Sequence, residues 1–384
     1  PGGAEQAPPV PVSPAALLAA AGRRLAALRD RWHEHPYGRA RHSAAELAAH
    51  FTGAALTELL PGLRPGGETF TVADLLAAGA APEHERLLSA LLAMAAECGL
   101  LAPAGGGRWR LAAAPDPAGL FAAALREFPG ELTTAQLHGV VGRRLAAVLR
   151  GECDVRELLF SGPEPLAARF YDASPVMAFH NGVAAELLRE LVAHWPASRP
   201  LRVLEVGAGT GGTTACLLPH LPPRRTRYTY TDVSASFLVP AERRFAGCGF
   251  MDFRRLDLDQ DPAAQGFAPG SFDLVIASNA LHTARDLAAA VRRVAGLLVP
   301  GGHLLAIESH EPRVLLPLFG PLPSFWSTED RGLRPHGMLL PRERWPALLA
   351  GCGFTGAVQA GDDREPARGD CSVILAARDN SAAA

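Results

Sequence analysis

The sequence predicts an α/β protein in which residues 196–378 form a doubly wound, mostly parallel sheet, preceded by a mainly helical segment over 14–195. Three observations predict it. Residues 14–195 place apolar side chains at the 3.6-residue period of packed helices. After Pro196, short apolar runs alternate with helical stretches, as parallel strands and crossover helices do. The first of these runs ends in a glycine-rich turn of the kind that brings backbone close to a ligand.

Length and composition set the bounds. At 384 residues, the usual allowance of roughly 150 residues per domain gives two or three domains. With 48% hydrophobic and 20% charged residues the chain can build a sizeable core and does not have a disordered composition. A net charge of −2 gives no bulk attraction to nucleic acid or to an anionic membrane. No apolar run approaches the ~18–20 residues of a membrane span, and the start does not read as a signal peptide. Six cysteines without a CxxC pair read as reduced thiols of a cytoplasmic protein, not as a disulfide framework or zinc site. There is no lysine, which excludes Schiff-base chemistry, a lysine base and a P-loop.

Taken in order, residues 1–13 are rich in Pro and Gly and read as linker, and 379–384 as a bland tail. Two such ends are what a segment of a longer polypeptide would show. The helical half opens with PAALLAAAGRRLAALRDRW, HSAAELAAHFTGAALTELL and EHERLLSALLAMAAECGLL. A helix over 84–98 followed by GLLAPAGGGRWRL resembles a winged helix, with Gly105-Gly106-Gly107 turning a hairpin. A DNA-binding wing sits in basic sequence. Here Glu83, Glu85 and Glu97 balance Arg86, Arg108 and Arg110, so a packing or dimerising module is expected. In the second half, LRVLEVG (201–207), RYTYTDV (227–233), FDLVIAS (272–278) and GHLLAIES (302–309) read as strands. The stretch after Gly353 and CSVILAA (371–377) are two more.

The loop after the first strand is Gly207-Ala208-Gly209-Thr210-Gly211-Gly212, leading into a helical TTACLLPHL. Its spacing satisfies GxGxxG, so alone it does not separate a dinucleotide from S-adenosylmethionine. The surroundings favour S-adenosylmethionine. Asp232 ends the second strand, where a carboxylate can accept both ribose hydroxyls. Asp257, in FRRLDLD, ends a third strand and can meet an adenine edge. Glu205 is awkward beside a pyrophosphate but suits a cofactor with a cationic amino group and a sulfonium.

These motifs, together with FDLVIASNALH and LLVPGGHLLAIE, resemble class I S-adenosylmethionine-dependent methyltransferases with their Rossmann-like sheet. More narrowly, the chain resembles the C-methyltransferase domains of modular polyketide synthases. Four stretches carry that likeness: ELLFSGPEPLAARFYDASPVMAFHN (157–181), SNALHTARDL (278–287), the strand ending in Glu308, and FGPLPSFWSTEDRGLRPHGMLLPRERW (319–345). The helical half is similar to that family's N-terminal lid.

The resemblance implies methylation of the α-carbon of a β-ketoacyl chain tethered to an acyl carrier protein, among neighbouring synthase domains. It implies a His282–Glu308 catalytic dyad, with Tyr171 as a lid residue, and cofactor contacts from Glu205, Gly207, Gly209, Gly211, Asp232, Asp257 and Asn279. Asn181 is a secondary candidate. The residue chemistry agrees with the dyad. Carbon methylation needs an enolate, and an imidazole, with its ordinary pKa near ~6.5, suits a proton flanked by two carbonyls. His282 follows the fourth strand and Glu308 closes the next, 26 residues on (308 − 282), so neighbouring strand ends can bring them together. A carboxylate beside an imidazole fixes its tautomer and stabilises the imidazolium.

Other readings stay open at this point. His303, Glu308, His310 and Glu311 allow a loose metal-like cluster, which matters because some related loading-module methyltransferases use a metal; the expectation is no metal. Phe325 and Trp326 either line an acyl tunnel or pack in a core. O-methylation of a polyketide hydroxyl, an NAD-dependent oxidoreductase and a non-catalytic methyltransferase-like domain are the competing functions.

Overall fold

The apolar runs of the second half become the strands of a seven-stranded sheet, and the described part of the first half is almost all helix. The computed structural model describes residues 12–162, 165–335, 337–363 and 370–380. Most of the expected 1–13 linker, and residues 381–384 of the tail, lie outside the described residues.

Contacts divide the chain into two units. One comprises the described parts of Pro1–Trp32, Phe179–His310 and Thr328–Ala384; the other comprises those of His33–Ala178 and Glu311–Ser327.

The second of these units is helical. Its long helix Tyr37–Leu59 buries Leu47, Phe51, Leu56 and Leu59, on more than one face. Helix Leu132–Gly142 crosses it where Gly142 leaves room for the Phe51 ring; a Cβ at Gly142 would lie 2.3 Å from Phe51 Cγ. The winged-helix pattern is present as helices Val72–Ala77 and Glu85–Glu97 followed by strands β1 (Leu101–Pro103) and β2 (Trp109–Leu111). Phe70 bridges to Trp109 and widens the hairpin. Phe325 is buried in this unit, and Trp326 donates its indole N–H to Gly320 O at 2.7 Å beneath the Arg86 guanidinium.

The other unit holds strands β3 (Leu201–Val206), β4 (Thr226–Asp232), β5 (Met251–Arg255), β6 (Phe272–Ser278), β7 (Leu298–Ser309), β8 (Phe354–Ala360) and β9 (Cys371–Arg378). Their order is β5-β4-β3-β6-β7-β9-β8. The first five are parallel, while β9 runs antiparallel to both β7 and β8. The class I methyltransferase fold, a mostly parallel sheet with a helical N-terminal region, is therefore present. The third strand ends earlier than expected, at Arg255, so Asp257 stands in the loop beyond it. Near-continuous apolar burial along β6 and β9 reflects a sheet covered on both faces. The strand order reverses between β3 and β6, and ligands of open α/β sheets bind at the carboxyl ends beside such a switch point.

Among the described residues no helix is long and apolar enough to cross a membrane, and all six cysteines are free. At the opposite end of the sheet Asp273, fully buried, accepts from Arg199 Nη2 at 2.7 Å, Arg202 N at 2.9 Å and the Arg202 side chain at 2.8 and 2.9 Å. Removing it would strand two cations and a backbone N–H together. We expect Asp273→Ala to lower unfolding stability by about 3 kcal/mol, read from urea denaturation; a loss below about 1 kcal/mol would refute this account.

Candidate active site

The loop after β3 owes its shape to glycines. Gly207, Gly209 and Gly211 all have positive φ (61°, 58° and 79°), and helix Gly212–Leu217 starts directly behind them. At Gly207 the requirement is double, because a Cβ there would also lie 2.6 Å from the Cβ of Ala280. The loops after β3 and β6 can therefore touch. β4 secures the turn: Ala208 N donates to Thr231 O at 2.9 Å, and Tyr230 OH donates to Gly209 O at 2.7 Å.

Two carboxylates flank this turn, and a third lies one strand outward. Asp232, at the end of β4, accepts from Gly209 N and from Ser234 N, each at 2.9 Å. Burial raises its pKa, and the backbone donors oppose that rise. Glu205 lies under the loop, 1% exposed, and its Oε2 accepts from the hydroxyls of Thr214 and Tyr228, both at 2.6 Å. Its Oε1 is buried without a hydrogen-bond partner. Desolvation pushes the Glu205 carboxyl up to about 7 against the pull of its two hydroxyl donors. Asp257 is half-buried; its Oδ1 accepts from Asp259 N at 2.9 Å, and its backbone pairs with the Gln265 side chain at 2.8 Å.

The end of β6 carries the other residues singled out from sequence. Asn279 alone among the described non-glycine residues has positive φ, 49°, a conformation asparagine tolerates better than most. Its Oδ1 accepts from Ser309 N at 3.1 Å and Ser309 Oγ at 2.7 Å, fastening the end of β6 to the end of β7. His282 follows in a short 3-10 turn, Leu281–Thr283. Its Nδ1 is 2.5 Å from Glu308 Oε2, and Glu308 Oε1 accepts from Leu281 N at 3.0 Å. Glu308 is fully buried, whereas the His282 side chain keeps about a tenth of its surface exposed. A carboxylate only accepts, so Nδ1 carries the proton, and in the neutral ring Nε2 is the acceptor. Asn181, on helix Pro175–His194, joins the same rim. Thr213 Oγ1 lies 2.9 Å from both Asn181 Oδ1 and Ser278 Oγ, with its one proton to give between them.

The sheet unit thus brings together Glu205, the glycine turn, Asp232, Asn279, His282 and Glu308, with Asp257 one strand outward. Tyr171 belongs to the helical unit, on helix Leu166–Ala173, edge-on to Phe170 and packed against the cluster of Leu159 and Leu318. Loss of water around its phenol raises the pKa to about 12.

The histidines of the metal-like cluster are engaged elsewhere. His303 Nε2 pairs with Val12 O at 2.9 Å. His310 pairs with Leu340 O at 3.0 Å and Ser372 Oγ at 2.8 Å, and burial lowers its pKa to about 4. Among the described residues, no group of three possible ligands includes His303, Glu308, His310 or Glu311.

Sequence reading missed Arg334. It is fully buried and donates to His282 O (2.7 Å), Ala284 O (2.8 Å), Arg285 O (3.0 Å) and Met338 O (2.9 Å), and to Asp330 Oδ1 (2.9 Å). The available signal was an arginine inside the 319–345 stretch with an aspartate four residues before it.

Known proteins resemble this chain in sequence and fold. A family model described as a methyltransferase domain covers residues 204–304. The highly reducing polyketide synthase rstn3 of Aspergillus nomiae is 40% identical over 265 residues, which is 67% of this chain and 10% of that protein. The crystal structure of the CurJ carbon methyltransferase is 31% identical and superposes with a TM-score of 0.87, covering 96% of this chain and 100% of that one. The chain belongs to the carbon-methyltransferase domains of polyketide synthases. The CMeT domain of the citrinin polyketide synthase fits as well, with 25% identity, a TM-score of 0.82 and coverage of 95% and 98% of the two chains. Curated synthases such as rstn3 are far longer, and this methyltransferase domain spans about a tenth of that one.

Burial of Glu205 has a measurable consequence for this domain. Its folded-state pKa of about 7 lies above the ordinary 4.5, so the folded form holds the proton more tightly than the unfolded chain. The stability from this site is complete below about pH 4.5 and is lost as pH rises toward about 7. We expect Glu205→Gln to flatten the fall in stability between those pH values by on the order of 2 kcal/mol in denaturation without added ligand. An unchanged pH profile would show that Glu205 is solvated.

Proposed function

We propose that this domain methylates the α-carbon of a β-ketoacyl thioester carried by an acyl carrier protein, using S-adenosylmethionine as donor and His282 as base. The observation that carries the reading is the His282–Glu308 pair: Nδ1 held at 2.5 Å by a buried carboxylate, and Nε2 left to accept a proton.

S-adenosylmethionine supplies an electrophilic methyl group on a sulfonium. The residues fit such a cofactor. The positive-φ glycines 207, 209 and 211 let backbone approach it without a Cβ in the way. Asp232 accepts backbone N–H groups from Gly209, Ser234 and Val233, and a carboxylate with about four lone-pair sites can still meet a ribose hydroxyl. Asp257 stands beyond β5 for the adenine, and Asn279 holds the β6 terminus against β7 beside it. Glu205 acts through the field of its buried charge, which a cationic amino group above the loop would keep ionised.

Nε2 of His282 removes the α-proton, leaving an enolate on the acyl chain. Glu308 stabilises the imidazolium through Nδ1–H, and its grip on Leu281 N fixes the ring's approach. The resemblance gives Tyr171 as a lid residue closing over cofactor or substrate. The carrier protein and neighbouring synthase domains are the proposed partners.

Intact-mass analysis of a β-ketoacyl carrier protein, incubated with this domain and S-adenosylmethionine, tests the reading. Wild type is expected to add one methyl group at the α-carbon, located by fragmentation. His282→Ala should lose ~10²–10⁴-fold in rate while still binding the cofactor. A methyl found on oxygen, or no cofactor binding, would overturn the proposal.

A further inference from the structure

We propose that Arg334 is a positioning residue for His282: it fixes the base by holding the carbonyls of His282 and of the loop that follows. This rests on the reading of His282 as the base.

A guanidinium has five N–H donors, and burying one is costly unless they are all used. Arg334 is fully buried and uses them all. Nε meets Asp330 Oδ1 at 2.9 Å, Nη1 meets His282 O and Met338 O, and Nη2 meets Ala284 O and Arg285 O, all within 2.7–3.0 Å. Asp330 faces the guanidinium and also accepts from Leu287 N at 2.9 Å, on the far side of the loop.

The loop needs these donors because of its own geometry. The turn Leu281–Thr283 satisfies Ala280 O and Leu281 O through Thr283 N and Ala284 N, and then stops. The next carbonyls have no helical N–H to meet, as at any helix end, and among the described residues only Arg285 O, of those Arg334 reaches, has a further backbone donor, Glu329 N at 2.8 Å. One planar fork serves the carbonyls of 282, 284 and 285 together. His282 is thereby held twice, its ring by Glu308 and its peptide by Arg334. A lysine offers a point charge and three donors, and cannot span the same carbonyls.

If the contact only tied residues 328–345 to the sheet, losing it would act as any core lesion does. Trp345→Phe supplies that comparison, since Trp345 is fully buried in the apolar core around β6, β7 and β9 and its indole N–H has no hydrogen-bond partner.

The experiment compares wild type, Arg334→Lys and Trp345→Phe by methyl-transfer kinetics on a β-ketoacyl carrier protein. It also records the ¹⁵N shifts of the His282 ring, which report its tautomer without turnover. Arg334→Lys is expected to lower kcat ~10–100-fold with little change in KM or cofactor affinity, as misplacement of a catalytic group by ~1 Å does. It should also move the His282 nitrogen shifts off the wild-type pattern. Trp345→Phe should lose stability and keep both. If Arg334→Lys does not fold, Asp330→Asn replaces it, removing the charge that faces the guanidinium with little change of shape, and is read the same way.

Wild-type kcat and wild-type shifts in the folded variant would overturn the assignment. So would an equal kcat loss in Trp345→Phe. A wild-type domain that transfers no methyl would instead defeat the carbon-methylation reading, while the nitrogen shifts would still decide whether Arg334 sets the ring.

Discussion

The buried carboxylate of Glu308 organises the carboxyl end of the sheet. It is fully enclosed, so its charge is tolerable only because donors are aimed at it. One is the peptide N–H of Leu281 and the other is Nδ1 of His282, so a single side chain at the end of β7 fixes both the backbone and the ring of the loop after β6. The interaction depends on β6 and β7 being parallel neighbours whose ends coincide, with Ser278 in register with Ile307. On the other side of β7 lies β9, with Ser372 opposite Glu308.

The rest of the rim follows the same economy of buried polar groups. Glu205 is opposite Tyr230 and Ile276 in the middle of the sheet, where no water reaches, and takes its hydroxyl donors from Thr214 above and Tyr228 beside it. Asp232 anchors the glycine turn through Gly209 N. Asn279 accepts from Ser309 in a backbone conformation that most side chains avoid. Such locally unfavourable features persist where surrounding contacts over-determine them, and here they collect at the switch point between β3 and β6.

The helical half contributes differently. Its helices were plain in sequence because apolar patterning over 20 or more residues, as in Tyr37–Leu59, is hard to mistake. The winged-helix pattern was equally legible, since Gly105, Gly106 and Gly107 mark the hairpin turn, and all three have positive φ. What periodicity could not supply was the grouping of the segments. Residues up to Trp32 join the sheet unit, where the Trp32 ring stacks on Phe179 at 4.7 Å, while Glu311–Ser327, far along the chain, join the helical one. Stacking between distant residues leaves no local signature.

The sequence by itself determined the strands and the glycine turn, and its resemblance to a family supplied the pairing of His282 with Glu308. The first two are local rules: alternation sets the strands, and the missing Cβ sets the turn. It also carried the family likeness, through motifs spread over most of the chain. Only the tertiary structure decided that Asp257 falls beyond its strand, that His303 and His310 are occupied by Val12, Leu340 and Ser372, and that Arg334 gathers the carbonyls of the His282 loop. The physical reason is that backbone carbonyls are identical at every position. No residue pattern announces which of them will be left without a donor until the chain has folded around them.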